Sequence, residues 1–348
     1  MSARVYLDWN ATAPLRPEAR AAMGAAMDLL GNPSSVHAEG RAAKAMMERA
    51  RNDLAHALGA EGADIVFTSG ATEAAALACA GRELHCAGVE HDAVLAWCSP
   101  DLPTDKAGQV NVANPAQTAL QLANSETGIL QDLPTGLAVC DMTQAFGKLP
   151  LAFNWLGCDM GLISAHKFGG PKGIGAVVLR QGVDCAAQLR GGGQEMGRRA
   201  GSENLIGIAG FAAAAKAAAR DLSDGVWDKV AELRDILNLA LSDGGFQTIS
   251  VGNTERRLPN TLCVIAPGWK GESQVMAMDL AGFAVSAGSA CSSGKVRASR
   301  VLTAMGFSEA LAAQAVRISL GPDTTQEQVL RFAGVWAQNH KRVLSRVA

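Results

Sequence analysis

The pattern that most constrains this chain is an alternation of short apolar runs with helical stretches. Ile65, Val66 and Phe67 form one such run, and residues 137–140, 162–163 and 176–179 form three more. Between the first turns and the first run, residues 41–58 place Ala43, Met46, Ala50, Leu54 and Ala57 at helical spacing, with Gly59 as a stop. Continuous apolar strands separated by helices predict an α/β fold with a largely parallel sheet. After about residue 222 the texture changes. Helices are expected over 227–241 and 272–281, strands over 261–265, 283–286 and 316–320, and a further helix from near Arg297. Thr325 and Gln328 have the spacing of a capping box for the last helix. Fewer strands and longer helices predict a smaller α+β second domain.

A length of 348 residues suits two domains at roughly 100–200 residues each. Charge is balanced, 31 Lys+Arg against 33 Asp+Glu, so no global basic field points to nucleic acid. Eight cysteines are scattered, and no two stand in a C-x-x-C spacing, which argues against a zinc site and for reduced thiols. The N-terminal residues carry no apolar signal-like run, and the most apolar stretch, 205–219, is interrupted by Lys216 and too short for a bilayer. The expectation is a cytoplasmic protein with no membrane contact, no metal and no direct nucleic-acid partner.

Chemistry-bearing residues fall at the C-terminal ends of the expected strands, the edge where open α/β sheets bind ligands. Thr68-Ser69-Gly70-Ala71-Thr72-Glu73 joins a strand to a helix start. It reads either as a plain helix cap or as a cup for a phosphate. Asp141 follows an apolar strand, with Thr143 and Gln144 after it; it either caps the next turn or pairs with a cationic ring nitrogen. Lys167 closes Ser164-Ala165-His166-Lys167 ahead of a Gly-rich loop. A lysine in a ligand cleft loses its proton by desolvation and becomes a Schiff-base nucleophile; Lys172, inside the loop, is the competitor. Cys291 lies among small residues from Ser286 to Gly294, with Lys295 and Arg297 nearby to favour a thiolate. Cys79, Cys140 and Cys263 sit in apolar runs and read as core. A phosphate cup, an acid for a ring nitrogen, a Schiff-base lysine and a loop thiolate together describe a pyridoxal-phosphate (PLP) site with an extra nucleophile.

The same residues resemble the NifS/IscS-type cysteine desulfurases, class V aminotransferases of the fold-type I PLP enzymes. The resemblance rests on Tyr6-Leu7-Asp8-Trp9-Asn10-Ala11-Thr12-Ala13-Pro14, Gly31-Asn32-Pro33-Ser34-Ser35, the segments just quoted, Gly191 to Glu195, Arg199 to Asn204 and Val316 to Leu320, in order along the chain. It implies a seven-stranded, mainly parallel sheet in a large domain over 12–222, and a small α+β domain from 1–11 and 223–348. It implies that Lys167 holds PLP, His91 stacks on the ring and moves protons, Asp141 pairs with the ring nitrogen and Gln144 with the ring oxygen. Ala71, Thr72, Ser164 and His166 would hold the phosphate, joined by Ser202 from the neighbouring subunit of a homodimer. Arg317, with Asn124 and Ser125, would meet the substrate L-cysteine; Ser125 stands where the family has a second Asn. Cys291 would take the sulfur as a persulfide and pass it to an acceptor protein, foremost an iron–sulfur scaffold, with alanine as co-product. The competing readings are a selenocysteine lyase, another class V PLP enzyme such as an aminotransferase, or a sulfur-transfer scaffold subunit without turnover.

Overall fold

The structure, a computed structural model, describes residues 4–242, 247–288 and 298–347. After a short strand β1 (Val5–Tyr6) come the strands of the main sheet: β2 (Asp64–Thr68), β3 (His85–Ala87), β4 (Ser99–Leu102), β5 (Ala119–Gln121), β6 (Leu137–Asp141), β7 (Cys158–Ser164) and β8 (Gly175–Leu179). Five pair in the order β2-β8-β7-β6-β5, and a parallel bridge from Thr118 to His85 carries the sheet on to β3 and β4. β8 runs antiparallel to both neighbours; the other pairings are parallel. The sheet is thus seven-stranded and mainly parallel.

Its central strands, β2 and β5 to β8, are mostly apolar and buried because both faces are covered, whereas the edge strand β4 is largely exposed. Ile65, Phe67, Cys140 and Val178 face a layer containing Leu54, Leu58, Ile208 and Phe211. Val66, Val139, Leu162 and Val177 face Ala74, Leu77 and Ala78 on the other side. The first layer is α1 (Pro17–Met27), α2 (Ala38–Leu58) and α5 (Leu205–Ser223); the second contains α3 (Ala71–Cys79) and the single-turn α4 (Asp92–Leu95). In α2 the buried row is Ala43, Met47, Ala50, Leu54 and Leu58, so Met46 and Ala57 flank the face they were expected to centre. Gly59 ends the helix at φ 57°, and a Cβ there would lie 2.5 Å from the Ala152 side chain. Left-handed backbone and close approach both demand glycine.

The rest of the chain contributes α6 (Val226–Ser242), β9 (Ile249–Val251), β10 (Thr261–Ile265), α7 (Gly271–Leu280), β11 (Phe283–Ala284), β12 (Ser286–Ala287), α8 (Arg300–Ala304), α9 (Glu309–Ala312), β13 (Ala315–Ser319) and α10 (Gln326–Val347). An antiparallel sheet, β12-β13-β10-β9, packs over Trp227, Leu237, Phe332 and Trp336. The single strand expected over 283–286 is two. Phe283 and Ala284 pair in parallel with β1, whereas Ser286 and Ala287 pair with β13. The helix expected near Arg297 begins at Arg300, capped by the Ser299 side chain on Leu302 N. The capping box of α10 forms as read: Thr325 N donates to Gln328 Oε1 at 3.0 Å and Gln328 N to Thr325 Oγ1 at 3.3 Å. Among the described residues no helix is long and apolar enough to cross a membrane. The N-terminal segment crosses between the two sheets, bridging Asp8 to Ser319, and this crossing brings Asn10 to the ends of β6 and β7.

Candidate active site

The C-terminal ends of β2, β6 and β7 open into one cavity of about 470 Å³. It is lined by Ala71, Thr72, His91, Ser125, Asp141, Gln144, Ser164, His166 and Lys167, nine of the residues singled out from sequence. Asp141 ends β6, and its Oδ1 accepts from Thr143 N at 2.8 Å, which holds the carboxylate at the strand end. Ser164 ends β7; a single 3₁₀ turn over Ala165–Lys167 then presents the lysine. Lys167 Nζ donates to the main-chain oxygens of Asn10 at 2.8 Å and Ala11 at 3.1 Å. Lys172 also lines the cavity but is exposed, as its place in the Gly-rich loop implies.

The segment read from sequence as a possible phosphate cup forms the start of α3. Gly70 caps this nine-residue helix without any side-chain hydrogen bond to its first N–H groups. Uncapped N–H groups and the positive helix end favour an anion there. β8 approaches closely: a Cβ on Gly175 would lie 2.8 Å from Gly70 and 2.6 Å from Ile163 O. His166 Nδ1 lies 3.2 Å from Thr12 Oγ1, and burial together with Lys167, Lys172 and Lys148 pushes its pKa down to about 4. The ring is therefore neutral near pH 7 and holds one N–H for an acceptor. His91 caps α4, its Nδ1 accepting from Ala93 N at 3.1 Å, so in the neutral ring the proton sits on Nε2. An amine, a carboxylate, a bare helix N-terminus and a surplus of cations fit a phosphate-bearing aldehyde cofactor such as PLP.

Three other expected residues are not among those lining the cavity. Asn124, expected to meet the substrate, is one of them. It is 3% exposed, donates to Val89 O, and its Oδ1 accepts from Glu126 N, Thr127 N and Thr127 Oγ1. With every polar atom engaged, the amide shapes the loop that carries Ser125. Arg317 lies behind the cavity wall, donating to Asp8 Oδ1 at 2.7 Å and to Ser125 O at 3.1 Å, with its buried Nε left without a partner among the described residues. Ser202 is exposed in a separate cleft with Phe67, Arg199 and Asn204, sharing Ser69 and Gly173 with the main cavity. Cys291, with Lys295 and Arg297, lies outside the described residues. The cysteines read as core, Cys79, Cys140 and Cys263, are buried free thiols.

The structure also brings in residues that sequence patterns passed over. Asn10 is fully buried and joins five segments. Its main-chain oxygen accepts from Lys167 and Gln144, its Oδ1 from Lys148 and Asn260, and its Nδ2 donates to Thr261 Oγ1 and Ser125 O. Its presence in the Tyr6–Pro14 segment was the only signal in the sequence.

Glu126, next to Ser125, accepts from Ser299 Oγ at 2.5 Å. Burial pushes its carboxyl up to about 7, against the Ser299 hydroxyl and the cations of Arg317 and Arg300. The folded chain then holds a proton on Glu126 that the unfolded chain releases, in the window from about pH 5 to 7. Its contribution to stability is lost as pH rises through that window. Glu126→Gln removes the titration while keeping an acceptor for Ser299. Thermal unfolding at matched pH should show the variant near the parent at pH 5 and more stable at pH 8, by on the order of 1–3 kcal/mol. A gap independent of pH would remove the assignment.

The chain belongs to the class V aminotransferase family, whose model matches residues 5–99 and 104–332. Among its relatives is a protein of Cereibacter sphaeroides named cysteine desulfurase, 38% identical over 370 residues, covering 95% of this chain and 94% of the relative. Among solved structures, a NifS-like protein from Rickettsia africae matches with a TM-score of 0.87 at 28% identity, over 97% of this chain and 99% of that one. A third, SspA in complex with cysteine, matches with a TM-score of 0.75 at 26% identity, over 92% and 100%.

Proposed function

We propose that the protein is a PLP-dependent cysteine desulfurase that converts L-cysteine to L-alanine and leaves a persulfide on Cys291. The observation that carries this reading is the placement of the Lys167 amine in one cavity with Asp141 and the open N-terminus of α3. The names of the relatives support the choice of reaction within the family. When bound, PLP supplies an electron sink for charge developing at the substrate Cα.

The chain's own residues do the rest. Ala71, Thr72, Ser164 and His166 bind the phosphate, with Ser202 added from the partner subunit of a homodimer. Asp141 keeps a proton on the ring nitrogen, and Gln144 donates to the ring oxygen. Lys167 would hold the cofactor through its amine, and as a free amine would take the Cα proton. Arg317, bonded to Asp8 Oδ1 and Ser125 O behind the cavity wall, would exchange these partners for the substrate carboxylate. The Cys291 thiolate attacks the substrate sulfur: an S–S bond forms, the C–S bond breaks, and the carbon side gains the electron pair and a proton. His91 exchanges that proton through Nε2, a role supported by its Nδ1 being engaged by Ala93 N. The sum is cysteine plus enzyme thiol giving alanine plus enzyme persulfide. The persulfide passes to an acceptor protein of the iron–sulfur scaffold type, in the cytoplasm.

Incubation of the holoenzyme with L-cysteine and 2-oxoglutarate separates this reaction from transamination. Alanine and mobilised sulfur should appear without glutamate. Glutamate formed in step with cysteine loss would make the protein an aminotransferase.

A further inference from the structure

Lys148 is 1% exposed, yet among the described residues no carboxylate is bonded to it. It lies four residues after Gln144, on consecutive hydrogen-bonded turns that follow β6. Its Nζ donates to Gln144 Oε1 at 2.7 Å and to Asn10 Oδ1 at 3.1 Å. Burying an amine without a counter-charge is costly, and an apolar side chain of similar volume is ordinarily as good or better there for stability. Retention of the amine therefore calls for a reason other than packing.

The bonds around it supply one. The Asn10 amide is oriented independently of Lys148, since Asn260 Nδ2 donates to its Oδ1 at 3.0 Å and its Nδ2 donates to Thr261 Oγ1 at 2.8 Å and Ser125 O at 3.1 Å. Lys148 thus reads two oxygens, one on Asn10 and one on Gln144. With Oε1 held on the amine, Gln144 Nε2 is placed against Asn10 O at 2.9 Å, the same main-chain oxygen that accepts from Lys167. An amide nitrogen has two hydrogens. One serves Asn10 O, and Gln144 lines the cavity where the other is available. Burial, with Lys167 and Arg317 nearby, pushes the Lys148 pKa well below its usual value, and a neutral amine has the two N–H groups that these two oxygens need.

We propose that Lys148 is a positioning residue of the active site, fixing the Gln144 side-chain amide so that one Nε2 hydrogen is kept for the cofactor. The inference rests on the reading that Gln144 faces the ring oxygen of bound PLP. Without Lys148, Oε1 becomes a buried acceptor with no donor, and the amide rotates to recover one.

The test is a double-mutant cycle on the holoenzyme, read as the pH midpoint of the bound cofactor's visible absorption. A donor to the ionised ring oxygen favours the ionised form and lowers that midpoint. Lys148→Met and Gln144→Leu should each raise it by about one pH unit, and the double variant should add nothing further. Thermal unfolding of Lys148→Met should match or exceed the parent, which a role in packing alone does not predict. Should Lys148→Met fail to fold, Lys148→Gln, which keeps a donor on a shorter stem, is read in the same cycle with a smaller shift and the same non-additivity. An unchanged midpoint, or shifts that add in the double variant, overturns the role of Lys148 alone. A parent with no visible cofactor band overturns this inference together with the functional reading on which it rests.

Discussion

Lys167→Ala is expected to lose covalent attachment of the cofactor and to lower turnover by on the order of 10²–10⁴-fold or more, since one amine serves as anchor and as base. PLP should still bind non-covalently, because the start of α3, Ser164 and His166 are untouched by the change. Borohydride reduction of the parent followed by peptide mapping checks the attachment. The label should sit on Lys167, whose Nζ is held by Asn10 O and Ala11 O inside the cavity. Label on Lys172, the exposed lysine at the rim, would move the site by one loop.

Cys291→Ser is expected to abolish sulfur release while leaving PLP attachment and the spectral response to L-cysteine intact. The cofactor acidifies Cα whether or not a nucleophile is present, but only a thiolate takes the sulfur. A serine hydroxyl is too weak an acid and too poor a sulfur nucleophile to replace it. The buried thiols of Cys79, Cys140 and Cys263 are screened from this role, and burial of Cys263 pushes its pKa far above its usual range. Brief alkylation should modify Cys291 first and stop turnover in step. Alanine production by the serine variant at the parent rate would remove Cys291 from the mechanism.

The cavity was largely legible because its parts sit at predictable places. Asp141 and Ser164 end apolar strands, Lys167 follows within one turn, and Thr72 opens a helix after a glycine. Strand ends and helix starts are local features, visible in a few consecutive residues. The polar network behind the cavity was not legible. Asn10 meets Lys148 and Asn260 across 138 and 250 positions of sequence, and a lysine after Gly147 reads as a solvated charge until burial is known. The bonds of Asn124 to its own loop, through Glu126 N and Thr127 N, were likewise not visible in the sequence. The division of residues 283–287 between two sheets depends on β1, nearly 280 residues earlier in the chain, and no local pattern at Val285 announces it.

Mass measurement after one equivalent of L-cysteine, with no acceptor thiol present, tests the central claim most directly. One additional sulfur atom per chain should map to Cys291, in amount equal to the alanine formed. Alanine without added sulfur, or the sulfur on another cysteine, would contradict the account.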